Sequence, residues 1–284
     1  MSAKACTGRM EDVMVPSKTE RLTFDPTVPN AGRIADYFLG GKNNFAADRA
    51  AAQAAIAIAP ELPAMSREGR RFLGRAVRFL ADAGIRQFVD IGCGLPTQGN
   101  VHEIAHAVAP DARVVYVDND PMVVVHAQAL LQDDRLTTVV EADARDPEGL
   151  LSRLRRTGMI DLDQPVAILL FSMLQDVTDD VLATQITTEL HKAIAPGSYM
   201  AVSHAVSDLR PETTAKLTAL YQDGGSVTGP RRENLRTRAE VGRFFDGLTL
   251  VEPGVVYVPQ WRPDGAVLHR PDSVWVVGGV GRKE

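Results

Sequence analysis

Gln87-Phe-Val-Asp-Ile-Gly-Cys-Gly-Leu-Pro-Thr-Gln-Gly-Asn100 reads as a short apolar strand, a glycine turn and the start of a helix. The strand, Gln87 to Asp90, ends in a carboxylate. Gly92 and Gly94 then form a turn without Cβ atoms, where a ligand can approach the backbone closely. From Asn100 onward Val101, Ile104, Ala105 and Val108 recur at helical spacing. A strand, a glycine turn and a helix N-terminus together make a nucleotide-type site, because free backbone N–H groups point at the ligand there.

A dinucleotide-binding turn needs G-x-G-x-x-G. Here the run is Gly92-Cys-Gly-Leu-Pro-Thr97, so Thr stands at the third glycine position and Pro just before it. That third glycine normally lets helix and strand pack closely beside a pyrophosphate. Its absence, with Asp90 two residues before the first glycine, suits a cofactor with an amino-acid end. S-adenosylmethionine is such a cofactor. A bare structural turn is the other reading of this stretch taken alone.

A chain of 284 residues with 45% hydrophobic content suits one large α/β domain, or one domain with a helical addition. The net charge of −5 and a pI near 5.7 argue against nucleic acid as the main partner. Cys6 and Cys93 are the two cysteines, and their placement makes neither a structural disulfide nor a zinc site, so no metal is expected. Reduced cysteines point to the cytoplasm. No apolar run reaches the roughly 18 residues that span a bilayer, and no apolar segment follows Lys4 and Arg9, so neither a membrane anchor nor a secretory signal is expected. Residues 1–20 are read as a flexible tail.

Residues 21–65 are read as an N-terminal helical cap, ahead of the main domain at 66–284. Ile34, Tyr37 and Phe38 share one face of a short helix that the Gly40-Gly41 pair ends, and Asp48 to Ile58 is an Ala-rich helix stopped near Pro60. Arg33, Tyr37, Asn43 and Asn44 are unusually polar or aromatic for a plain cap, so a lid hinged at Gly40-Gly41 is an equal reading. Ser66 to Ala83 is an amphipathic helix, N-capped by Ser66. Its apolar stripe (Phe72, Leu73, Ala76, Val77, Phe79, Leu80) opposes Arg67, Arg70, Arg71, Arg75 and Arg78, most simply a solvated face, with an anion-binding face as the lesser reading.

Four further strands are predicted at Ala112–Val117, Thr137–Ala142, Val166–Phe171 and Tyr199–Ser203, with helices at 121–131, 147–157 and 179–194 between them. Short, nearly continuous apolar strands alternating with helices give a doubly wound parallel sheet covered on both faces. Polar residues gather at the strand C-termini, where open α/β sheets bind ligands. Asp118 follows the second strand, 24 residues after Gly94, where a carboxylate can accept hydrogen bonds from both hydroxyls of a ribose. Asp143 follows the third and is placed to meet the amine of an adenine. Each acid alone could equally be a helix N-cap; three at successive strand ends are harder to dismiss. Near the C-terminus, Val255–Trp261 and Val274–Val280 with turn chemistry at Arg262-Pro-Asp-Gly265 predict a hairpin, giving seven strands with an antiparallel member.

The arrangement resembles the class I S-adenosylmethionine-dependent methyltransferases. More narrowly it resembles the actinobacterial S-adenosyl methyltransferase family, long catalogued as a domain of unknown function. Arg33–Phe45, Phe88–Glu103, Val114–Pro121, Pro196–Ala205 and Glu252–Pro263 carry that resemblance. It implies a Rossmann-like fold in which Asp90, Gly92 and Gly94 line the methionine part of the cofactor. Asp118 and Asn119 would meet the ribose, Asp143 and Ala144 the adenine, and Ser172 and Met173 would flank the methyl group. S-adenosylhomocysteine would be the product. Many N-methyltransferases of the superfamily carry an N/D-P-P-Y/F signature where this chain has Phe171-Ser-Met-Leu-Gln-Asp176. A nucleic-acid base is therefore a weaker expectation than a small-molecule acceptor.

Methyl transfer from a sulfonium is an in-line displacement, so positioning and water exclusion dominate and a base is needed only when the acceptor loses a proton. His204, after the fifth strand, is the best-placed base by its near-neutral pKa, against the plainer reading of a hydrogen-bonded strand-end histidine. His102 reads as structural. With Arg33, Tyr37 and Asn44, His204 completes the expected substrate or lid set. A protein that binds S-adenosylmethionine or its product without turnover, and a nicotinamide-dependent enzyme, are the competing readings. Turnover separates the first and NADH binding the second.

Overall fold

The computed structural model describes residues 25–96, 99–131, 134–227, 229–265 and 273–284; the expected tail at 1–20 and the third glycine position at Thr97 lie outside the described residues. Five parallel strands form the main sheet: β1 (Gln87–Ile91), β2 (Arg113–Asp118), β3 (Thr137–Glu141), β4 (Ala167–Phe171) and β5 (Tyr199–Ala205). Three more complete it: β6 (Thr249–Leu250), β7 (Val256–Tyr257) and β8 (Val276–Arg282). The order is β3-β2-β1-β4-β5-β8-β6, with β7 also paired on β8. β8 runs antiparallel to β5.

The mostly parallel, doubly wound, Rossmann-like sheet is as expected, with eight strands among the described residues where seven were expected. The expected C-terminal hairpin shrinks to the pairs Val256–Gly278 and Tyr257–Val277. Val258–Gln260 turns into a 3₁₀ segment because Pro259 has no N–H to continue a ladder. β6 has two residues, too few to show any alternation in sequence.

Alternation within the strands divides the core. Phe88, Val114, Leu169 and Ala201 face one side of the sheet; Val89, Val115, Ile168 and Val202 face the other. α3 (Leu62–Asp82), α4 (Val101–Val108) and α5 (Pro121–Leu131) cover the first face. α6 (Pro147–Arg156) and α7 (Asp180–Ala193) cover the second. α1 (Ala31–Phe38), α2 (Ala46–Ile58) and α8 (Pro211–Asp223) also join the first cluster, and α9 (Arg238–Gly242) the second.

The longest helix departs from expectation in two ways. α3 begins at Leu62, a turn before Ser66, because Pro63 suits a first helical turn. It therefore crosses the expected boundary between cap and main domain without interruption. Its arginines also divide. Arg67, Arg71 and Arg78 are exposed, but Arg75 is buried, donating from Nε to the Trp261 carbonyl at 2.8 Å and from Nη2 to that of Val258. The face expected to be solvated thus anchors the C-terminal turn.

Candidate functional site

The chain turns from β1 outward to β2 and β3, then returns to β4 and β5 on β1's other side. At this switch point the two crossover directions diverge and a crevice opens beyond the strand C-termini. A cavity of about 480 Å³ occupies it, walled by α1, α3 and α8 and by the strand-end residues of β1, β2, β4 and β5.

The glycine turn is built for close approach. Gly92 adopts φ 69°, a conformation L side chains rarely adopt, and a Cβ there would meet the Met173 Cβ at 2.7 Å. The backbone N–H groups of Gly92 and Cys93 both donate to the Val117 carbonyl, at 2.8 and 3.2 Å. That of Gly94 donates to Asp118 Oδ2 at 2.9 Å, while Asp120 N–H donates to Oδ1 at 2.9 Å. Asp118 thereby holds the turn in place with lone pairs still to offer. Burial raises its carboxyl above the usual range, against those backbone hydrogen bonds.

Asp90 is 4% exposed, yet its carboxylate makes no hydrogen bond or ion pair with a described residue. Burial pushes it up to about 7; the positive charge of Arg70 opposes the rise and Asp118 adds to it. Arg70 projects from α3 into the same cavity and is likewise without a hydrogen bond or ion pair among the described residues. Leaving a buried carboxylate unpaired costs several kcal/mol unless something pairs with it. An ammonium beside Asp90 and a carboxylate beside Arg70 are what the two groups lack. Asp90, Arg70 and Asp118 therefore fit a zwitterionic ligand with a sugar behind it.

Asp143 lies at the cavity rim. Burial acts to raise its carboxyl, but the hydrogen bonds and charge of Arg145 together hold it below the usual range. Arg145 donates to it from Nη2 at 2.6 Å and from Nε, and Asn119 Nδ2 approaches it at 3.4 Å. Ala144 is buried beside it. Ser172 adopts φ 55°, a strained conformation for serine; its Oγ lies 3.3 Å from that of Ser203 and its N–H donates to the Ser203 carbonyl at 3.0 Å. Asp90, Gly92, Gly94, Asp118, Asn119, Asp143, Ala144, Ser172 and Met173 all line the one cavity.

The expected substrate or lid residues do not gather there. Arg33 is 3% exposed and each of its nitrogens is engaged: Nε donates to Asp48 at 2.9 Å, Nη1 to Asp120 at 3.2 Å and Nη2 to the Val28 carbonyl at 2.7 Å. It clamps α1 to α2 and to the turn after β2. Tyr37 accepts a hydrogen bond from Gln53, and Asn44 donates to Asp36 at 2.8 Å. Gly41 packs so tightly on Asp36 that a Cβ would lie 2.0 Å from its Oδ1, so Gly40-Gly41 is a fastened turn and not a loose hinge. His204 does line the cavity, but Arg236 Nη1 occupies its Nε2 at 3.3 Å and the Ala205 carbonyl its Nδ1. Burial above all drives it down to about 3, against the Ala205 hydrogen bond and with help from Arg236. The ring is neutral with both nitrogens engaged and cannot take a proton from an acceptor.

Arg70 and Asp176 line the cavity although neither was expected as a site residue. Arg70 had a signal: Leu62, Met65, Ser66, Gly69, Arg70 and Leu73 recur at helical spacing and all line the cavity. Asp176 follows a strand end but lies on the 3₁₀ turn Leu174–Asp176, which no periodicity marks. Among the described residues no cluster of His, Cys, Asp or Glu could hold a metal, and no helix is long and apolar enough to cross a membrane.

The S-adenosyl methyltransferase family model matches residues 17–284. Among solved structures, a putative methyltransferase from Thermobifida fusca is 43% identical, with TM-score 0.84 over 91% of this chain and 96% of that one. A DUF574 family protein from Streptomyces avermitilis is 40% identical, with TM-score 0.85 over 92% of this chain and 99% of that one. No curated protein matches the chain.

Proposed function

Because the chain belongs to the S-adenosyl methyltransferase family, whose cofactor is S-adenosylmethionine, we propose that it methylates a small-molecule acceptor in the cavity at the sheet's switch point. The observation carrying this reading is the unpaired Asp90–Arg70 couple beside the glycine turn. Asp90 would hold the cofactor's α-ammonium and Arg70 its α-carboxylate, each gaining a charge-assisted hydrogen bond. Asp118 would accept from the ribose hydroxyls with Asn119 nearby. Asp143 and Ala144 would border the adenine, with Asp143 sharing its oxygens between Arg145 and the adenine amine. Ser172 and Met173 would border the reacting end.

S-adenosylmethionine supplies an already activated methyl group, so this chain's residues have to bind, orient and exclude water. α1, held by Arg33, and α8, packed against α2, support that exclusion by walling the cavity. The net charge of −5 and the mainly apolar cavity lining favour a small molecule over a nucleic acid as acceptor.

Calorimetric titration with S-adenosylmethionine, S-adenosylhomocysteine and NADH tests the reading. Micromolar binding of the first two without a response to NADH is expected; NADH binding alone would reject it. Methyl transfer into an acceptor then separates an enzyme from a protein that binds the cofactor without turnover.

A further inference from the structure

The cavity that Ser172 and Met173 line is also walled by apolar side chains, among them Phe171, Leu217, Val227, Leu235 and Trp275. Most polar groups there are already committed. Gln175 Oε1 accepts from the Ala205 N–H at 3.1 Å. Arg236 donates to the carbonyls of Leu174 and Val177, and both Arg236 and Arg232 pair with Asp180. Besides the Thr178 hydroxyl, which also has no hydrogen-bond partner among the described residues, two acidic groups stand apart. The Asp176 carboxylate and the Tyr221 hydroxyl, facing it from α8, have no hydrogen-bond or ion-pair partner among the described residues.

Resting on the cofactor reading above, we propose that Asp176 receives the methyl acceptor. Its carboxylate accepts a hydrogen bond from the N–H or O–H of a small amine, alcohol or phenol, and takes that proton as the heteroatom gains the methyl group. The walls would hold the organic body and Tyr221 would offer a second polar contact. A thioether or a tertiary amine has no hydrogen to give and would leave the carboxylate unpaired.

The balance is simple. The acceptor heteroatom bonds to the methyl carbon, the carbon–sulfur bond breaks with its pair left on sulfur, and the lost proton ends on Asp176. The sulfonium charge and the carboxylate charge disappear together. Burial alone pushes Asp176 up to about 7, which matches a base working near neutrality. The facing charges do not undo this. His204 on β5 is neutral, Arg232 and Arg236 are paired to Asp180, and burial with the charge of Asp176 keeps Tyr221 protonated.

The test uses the full chain loaded with S-adenosylhomocysteine, with aspartate carboxyl carbons ¹³C-labelled, and three isosteric probes: phenol, aniline and toluene. Asp176→Asn identifies the Asp176 resonance by its loss. A midpoint near 7 is expected, with the resonance moved by phenol and aniline more than by toluene. Calorimetry should show phenol affinity for the loaded protein falling roughly 10-fold in Asp176→Asn, with toluene affinity unchanged. A midpoint in the ordinary carboxylate range, or protic probes acting no differently from toluene, overturns the proposal. Wild-type protein that takes up no S-adenosylhomocysteine brings down the cofactor reading itself, a failure distinguishable from the former.

Discussion

Arg33 and Arg70 stand in neighbouring helices and both point inward, yet they do opposite work. Arg33 meets Asp48, Asp120 and the Val28 carbonyl, and every oxygen it touches is fixed. Arg70 lines the cavity with no hydrogen bond or ion pair among the described residues, and Asp90, in the same cavity, likewise has none there. A buried charge whose hydrogen bonds are satisfied belongs to the fold. One whose hydrogen bonds are open is waiting for a ligand.

That contrast can be broken in four places. The largest effect should come from Arg33→Met, which leaves Asp48, itself fully buried, without its counter-charge and should cost about 3–5 kcal/mol in denaturant unfolding. Loss below 1 kcal/mol would mean the clamp is not structural. Asp118→Ala comes next and should weaken S-adenosylhomocysteine binding about 100-fold by calorimetry. Unchanged affinity would remove Asp118 from the ribose.

Arg70→Met should lower affinity for S-adenosylhomocysteine roughly 10-fold or more. It should leave 5′-methylthioadenosine, which lacks the amino-acid end, unaffected, and change stability little. Equal losses for both ligands would place Arg70 elsewhere in the binding event.

The smallest effect concerns Asp90 and has a sign that ordinary site substitutions lack. Its folded pKa of about 7 lies above the unfolded value near 3.8. The proton it holds stabilises the fold below pH 3.8, and that stability is lost as pH rises to 7. Asp90→Asn, which never ionises, should therefore be more stable than wild type at pH 8 and no different at pH 3.5. Its cofactor affinity should fall. Wild-type affinity should also fall as pH drops from 8 to 5, because Asp90 must ionise to meet an ammonium. A variant less stable at pH 8 would show that Asp90 is paired after all.

Much of the site was legible because a doubly wound sheet forces ligand groups to strand ends. Asp90, Asp118 and Asp143 each stood where an apolar run stopped, and the structure gathers them around one cavity. The cap was legible as helices but not as contacts. Arg33, Tyr37 and Asn44 looked available because sequence does not show that Asp48, Gln53 and Asp36 already hold them. His204 follows its plainer reading, a hydrogen-bonded strand-end histidine, but the Arg236 that occupies it lies 32 residues away and no spacing names it. Arg70 was hidden by composition: five arginines on one helix look alike until Arg75 is buried against Trp261 and Arg70 is turned into the cavity.

The sequence by itself determined the alternation of strands and helices, the strand-end carboxylates and the glycine turn, since each depends on periodicity or on a residue's own conformational range. Only the tertiary structure decided which buried charges are paired. Pairing joins residues such as Arg33 and Asp120, 87 positions apart, and those distances exist only once the chain has closed around its core.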